Sequence, residues 1–316
     1  MARKPAAPTR IQKSGNGHTY YLDGEWCPGV TTVLSDGIPK PGLIGWASKV
    51  PAEFVADRLT VAKTADGRTR IVADDLVDEL RTWQESRPAS TKPVKWNDST
   101  PLPRLALADA LTTIRYRDLG EAAAKGTDVH GFGERLARGE AVEVPDELRG
   151  HVAAYLRFLE EWGPANARLE LVGINRRWRY MGKFDLLADF PGKVWSSGPW
   201  QGRPVGRGLL DIKTARSGIF AEVALQLQAY RFCETILGPH GEEPMPAVDF
   251  VAAIHVRADG YDVIPFDVTS DPRTDPAYRT FLYAKQVGEW LDYKEGPAAR
   301  VKLDRVTPPR NEGDPQ

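Results

Sequence analysis

The sequence predicts an α/β protein with a mixed central sheet, preceded by a mostly helical N-terminal portion. Two observations carry this. From residue 120 onward the apolar pattern reads helix, helix, three strands, helix, strand, strand, helix, an alternation that fits one sheet covered by helices. Before that point the periodic stretches are helical rather than alternating. With 316 residues, 41% of them hydrophobic, the chain can bury a core of this size.

The elements follow in order. Residues 1–16 are polar and Pro-rich and read as disordered. Tyr20-Tyr21-Leu22 before Asp23-Gly24 reads as a strand entering a turn. The β-branched run Val30-Thr31-Thr32-Val33-Leu34 fits a strand or a helix entry. Residues 43–59 place Trp46, Val50, Phe54 and Val55 on one helical face, and a second helix fits 73–83. Residues 86–103 read as a loop, and 104–138 as a long helical region broken near Gly120. Pro145 suits the first turn of a helix running to Trp162. Strands are predicted at 168–178, 181–190 and 209–214, with a Gly/Pro-rich loop at 191–208. A helix at 220–237, strands at 248–256 and 261–268, a helix at 276–293 and a disordered tail from 296 complete the reading. The organisation is then 1–16 disordered, 17–118 helical, 119–295 core and 296–316 tail.

Composition excludes several classes. There are 42 basic and 43 acidic side chains, so overall charge does not announce a nucleic-acid partner, and any basic surface must be local. Cys27 and Cys233 are too few for a disulfide framework, a cysteine zinc site or an iron–sulfur cluster held by cysteine alone. A reducing cytoplasm is the expected compartment. No signal-peptide run, membrane-spanning stretch or GxxxxGK(S/T) phosphate loop is present in the sequence.

Four segments carry chemistry. In Leu209-Leu210-Asp211-Ile212-Lys213, strand alternation projects Asp211 and Lys213 to one side and Leu210 and Ile212 to the other. Such a pair is either a solvated ion pair on an edge strand or a used acid–lysine couple. Asp185 sits in Gly182-Lys183-Phe184-Asp185-Leu186-Leu187, where an acid is unusual for a strand unless it is a turn or edge residue. In Gly126-Thr127-Asp128-Val129-His130, a helix would put His130 one turn from Gly126 and Glu134. A satisfied core or surface histidine fits equally. Gln226 and Tyr230 share one helix face, either as a buried bonded pair or as working groups at the mouth of a cleft.

In order and spacing, GTxxH, the GxxD-like Gly182–Asp185 segment, Asp211-Ile212-Lys213-Thr214 and Gln226–Tyr230 resemble the RecB-like branch of the PD-(D/E)-x-K nuclease superfamily. They are most similar to stand-alone exonucleases related to the CRISPR-associated RecB-like nucleases. The resemblance spans residues 120–235. It implies a restriction-endonuclease-like core and an Mg²⁺ site of His130, Asp185, Asp211 and the Ile212 carbonyl. Imidazole among the ligands also admits Mn²⁺. Asp211, Asp185, Lys213, Gln226 and Tyr230 take the catalytic positions. Phe184 stands where the superfamily name has proline, and the cysteines of the cluster-binding relatives are missing, which implies a member without an iron–sulfur cluster. Glu170 is a weaker candidate that could reach the metal or its water.

Phosphodiester hydrolysis suits such a set, because carboxylates hold a hard cation that activates water and a lysine meets the developing charge. Between residues 171 and 216 there are nine basic and three acidic side chains, a surplus of six. Arg176, Arg177, Arg179, Lys183, Arg203 and Arg207 are the candidate phosphate contacts. Trp195 and Trp200 could stack on bases or pack back onto the sheet. The expected activity is a DNA exonuclease in replication, recombination or repair, with DNA and a recombinase, annealing protein or helicase as partners. A non-catalytic DNA-binding relative and a site-specific endonuclease are the alternatives.

Overall fold

A computed structural model describes residues 9–14, 17–39, 41–85, 129, 131–133, 135–136, 140–215, 218–238, 241–266 and 271–291. The chain divides into two compact units, residues 1–39 with 129–316, and residues 40–128. The first 39 residues therefore belong to the core unit, not to the N-terminal region that the sequence suggested. No helix among the described residues is long and apolar enough to cross a membrane.

In the core unit, β1 (Arg10–Ser14), β2 (Gly17–Leu22) and β3 (Glu25–Cys27) form a three-stranded antiparallel sheet. Residues 10–14, expected to be disordered, are ordered by five cross-strand pairs with β2. The run after Gly29 is a helix, α1 (Val30–Gly37), whose Val30, Val33 and Leu34 are buried. Its β-branched residues are tolerated because that face is covered. Then α4 (Asp146–Trp162) begins after Pro145, which caps it rather than entering its first turn, and ends at left-handed Gly163, φ 56°.

The central sheet has seven strands in the order β10-β9-β6-β7-β8-β11-β12. These are β6 (Ala165–Asn175), β7 (Tyr180–Val194), β8 (Pro204–Lys213), β9 (Thr235–Gly238), β10 (Gly241–Pro244), β11 (Phe250–Arg257) and β12 (Gly260–Phe266). All pairs are antiparallel except β8 with β11, which are joined through α5 (Glu222–Arg231). The sheet is mixed, as the sequence predicts. Two boundaries differ. The Gly/Pro-rich stretch is not a loop throughout, because β7 and β8 run into it as a long hairpin. The helix at 220–237 stops at Arg231, and the chain turns into the β9–β10 hairpin. A final helix, α6 (Pro276–Leu291), closes the described fold.

Helices cover both faces. On one, α1, α5 and α6 supply Val30, Val33, Leu227, Tyr230, Tyr278 and Phe281 to a cluster with Leu187, Leu209 and Val251 of the sheet. On the other, α4 packs Val152, Tyr155 and Phe158 against Leu186, Leu210, Ile212 and Ile254. The small sheet adds Tyr20, Leu22 and Cys27 over Val172, Ile174 and Met181. The interior strand β11 is buried along nearly its whole length, which explains an apolar run interrupted before Arg257 only by His255.

The second unit contains α2 (Pro41–Ala56), a β4 (Thr60–Lys63)–β5 (Thr69–Val72) hairpin and α3 (Asp74–Glu85). Arg58 ties its helices together. The guanidinium donates to the Phe54 carbonyl at 2.9 Å, pairs with Glu79 and lies 3.9 Å from the Phe54 ring centroid. The hairpin was not anticipated in a region read as helical.

A candidate metal centre where two strands fork

The carboxylates meet at a defect in the sheet. Leu171 pairs with Phe184 and Leu169 with Leu186. Residues two apart in a strand share a face. Yet Leu171 and Phe184 join the cluster under α5, while Leu169 and Leu186 join the cluster under α4. The pleat therefore inverts between the two pairs, at Glu170 and Asp185. Glu170 adopts a left-handed backbone, φ 58°, which is where β6 makes the switch.

On β8 the alternation is regular. Leu209 lies in the cluster under α5, and Leu210 and Ile212 lie in the cluster under α4. Asp211 and Lys213 thus project under α5. The β7–β8 pairing ends at Leu186 with Leu210, so Asp185 and Asp211 are the next opposed residues, at the point where the strands part. There the Asp185 carboxylate replaces the ladder: the Ile212 N–H donates to its Oδ2 at 2.6 Å. A strand residue's N–H and C=O point to the same side, so the Ile212 carbonyl also faces the fork.

Asp211 is 4% exposed, and Lys213 Nζ lies 2.5 Å from its Oδ2. Burial alone would lower the lysine, but the Asp211 and then the Asp185 negative charges outweigh it and hold the ammonium above the ordinary lysine range. Tyr230 and Gln226 are not at the mouth of a cleft. Tyr230 is 1% exposed and accepts a hydrogen bond from Gln226 Nε2 at 2.9 Å. Burial, and next the negative charge of Asp211, push the phenol well up. The reason is packing: α5 lies directly on β7, and a Cβ on Gly182 would fall 2.4 Å from Tyr230 Cε1. Gly182 is what lets the tyrosine approach the strand.

The first-motif residue His130, with Gly126, Thr127, Asp128 and Glu134, lies outside the described residues. Among the described residues, no group of three His, Cys, Asp or Glu is placed to hold a metal. Two further residues at the fork carry no motif signal. Tyr20, from the small sheet, meets the Lys183 backbone through its hydroxyl, and burial raises its pKa. His255, the one basic side chain within the apolar run of β11, pairs in register with Lys213, and its Nε2 lies 2.9 Å from the Ala215 carbonyl oxygen. Their sequence distance from the motifs, about 160 residues for Tyr20, hides them.

The candidate phosphate contacts do not form one surface. Arg176, Arg177 and Arg179 lie at the turn before β7, and Arg203 and Arg207 near its far end. Arg207 stands opposite Asp189, about ten residues and roughly 30 Å along β7 from Arg179, and Arg203 lies farther still. The surplus of charge is also answered by acids, three of them from outside the 171–216 window. Arg176 forms a bidentate pair with Glu242, Arg179 meets Glu25 at 2.8 Å, Lys183 pairs with Glu170, and Arg207 meets Asp189 at 2.7 Å. Only the turn before β7 and Lys183 lie at the fork end. Trp195 packs back on the sheet, its ring centroid 5.6 Å from Trp162 and 5.2 Å from both Trp200 and Phe250. The tryptophans are a structural cluster remote from the carboxylates.

Comparison with known proteins finds no matching protein-family model and no matching curated protein.

Proposed function

We propose that this chain is a Mg²⁺-dependent deoxyribonuclease of the RecB-like PD-(D/E)-x-K type, an exonuclease of DNA replication, recombination or repair with a restriction-endonuclease-like core. The observation that carries the reading is the fork: Asp185 and Asp211 opposed on parting strands, with Lys213 on Asp211. Two carboxylates at one gap between strands are the hard oxygen donors that a divalent cation takes.

Asp185, Asp211 and the Ile212 carbonyl offer the all-oxygen donors such a cation takes, and His130 completes the set by its motif position. A divalent ion held by these residues would supply an activated water and polarise the phosphate. Asp185 is held at the fork by the Ile212 N–H. Lys213, paired with Asp211, would orient the attacking water or meet charge developing on the phosphate. Gln226 and Tyr230 act through packing, fixing α5 over the Asp211 strand.

The test is a time course on end-labelled linear DNA with and without Mg²⁺ or Mn²⁺. Linear DNA should shorten from its ends only with the metal, and covalently closed circles should survive. Cleavage of closed circles would move the assignment to an endonuclease. No metal-dependent loss of any DNA would refute the nuclease reading.

A further inference from the structure

A non-glycine residue with a left-handed backbone inside a strand costs energy, and persists where its surroundings or its task require it. Glu170 is such a residue, φ 58°, set between the Leu171–Phe184 and Leu169–Leu186 pairs. Its side chain crosses to β7 and pairs with Lys183, two residues before Asp185. The Lys183 backbone is in turn met by the Tyr20 hydroxyl. The two sides of the inversion are thus locked: β6 by its backbone, β7 by the ion pair at Lys183. Without the inversion, residue 185 would stand out of the sheet on the α5 face with Leu187, the face of Asp211 and Lys213, and not in the gap between β7 and β8. With it, the Asp185 carboxylate reaches the Ile212 N–H.

We infer that Glu170 is a positioning residue for the metal centre: through its ion pair with Lys183 it holds the kink that aims Asp185 into the fork. This rests on the reading of Asp185 and Asp211 as ligands of a divalent cation. The backbone and the carboxylate of Glu170 make separable demands. Glycine satisfies the left-handed φ better than glutamate does, yet it removes the ion pair.

The experiment measures Mn²⁺ binding by calorimetry and melting temperature without metal, on the full chain. The variants are Glu170→Gly, Glu170→Gln, Lys183→Met and Glu170→Gln with Lys183→Met. Glu170→Gly should melt no lower than wild type while its Mn²⁺ affinity falls about tenfold, the usual scale for losing a group that orients a ligand. Glu170→Gln and Lys183→Met should each lose a similar factor, and the double variant no more than either, because both act through one contact. Wild-type affinity in Glu170→Gly or Glu170→Gln overturns the inference. So does wild-type affinity in Lys183→Met beside a weakened Glu170→Gln, since Glu170 would then act without Lys183. Should wild type bind no Mn²⁺, the metal-centre reading fails and the inference falls with it. A wild type that binds beside variants that bind equally refutes the inference alone.

Discussion

Gly182→Ala tests how α1 and α5 are seated over the fork. The added Cβ would lie 2.4 Å from Tyr230 Cε1, 2.9 Å from Val30 Cγ2 and 3.1 Å from Val30 Cβ. Tyr230 and Val30 are 1% and 0% exposed, and Tyr230 is pinned by Gln226, so neither can swing into solvent. Overpacking of this kind costs about 1–3 kcal/mol. Alanine's lower backbone entropy in a strand returns about 0.5–1 kcal/mol. With both neighbours unable to move, the overpacking cost falls in the upper part of its range, about 2–3 kcal/mol, and a net loss of about 1–2.5 kcal/mol is expected, read as a lower urea midpoint at unchanged slope. Val30→Ala opens part of the same space. The double variant should therefore be more stable than the sum of the two losses predicts, by at least about 0.5 kcal/mol. A Gly182→Ala protein within about 0.5 kcal/mol of wild type, or strict additivity with Val30→Ala, would show that the strand and helices are not in this contact.

Three further outcomes follow from the same geometry. Tyr230→Phe should cost about 0.5–1.5 kcal/mol, because the Gln226 amide loses a buried acceptor. Cleavage by the same preparation should stay near wild type, and a large activity loss at unchanged stability would show that the hydroxyl works on substrate. Arg207, and then Asn166, hold the Asp189 carboxyl below its ordinary 3.8, so its contribution is present above that pH and is lost as pH falls through the lowered value. The stability difference between wild type and Asp189→Asn should accordingly be constant from pH 7 down to about 5 and vanish in acid; a difference that grows in acid would contradict the pairing. Trp195→Ala should cost about 3 kcal/mol by emptying a Trp–Trp–Phe cluster while leaving DNA affinity unchanged; lost affinity at intact stability would restore the tryptophan as a base-stacking group.

The sheet was legible where its pattern was strong. β11 is an apolar run interrupted only by His255 before Arg257, and Asp211 and Lys213 alternate with Leu210 and Ile212, so side and order could be read directly. The inversion at Glu170 could not be. It depends on one positive φ in a residue type that does not advertise it, and alternation across it gives the wrong face for Leu171 and Phe184. The β7–β8 hairpin was hidden because Pro191, Gly192, Gly198 and Gly202 are turn formers, and only cross-strand packing by Trp195 and Val205 shows that the strands continue. The β9–β10 hairpin follows a helix past which apolar residues recur, at Phe232, Cys233, Ile236 and Leu237, with no glycine or proline to mark the helix end. Charge was the least legible property. Counting over a sequence window credited a surplus to residues 171–216, but Glu25, Glu170 and Glu242 come from outside that window to pair with its cations. Burial likewise decided between the two readings of Gln226 and Tyr230, which share a helix face under either one.

The central claim is that Asp211, with Asp185 across the fork, holds the ion that drives DNA cleavage. Asp211→Asn tests it most directly, with Mg²⁺-dependent cleavage and DNA affinity measured on one preparation. The substitution removes a ligand's charge at almost constant volume. Losing several kcal/mol of transition-state stabilisation should slow cleavage by at least about a hundredfold. DNA affinity in the same sample should be unchanged or slightly tighter, since one negative charge near the phosphates is gone. Cleavage at the wild-type rate by Asp211→Asn would contradict the account.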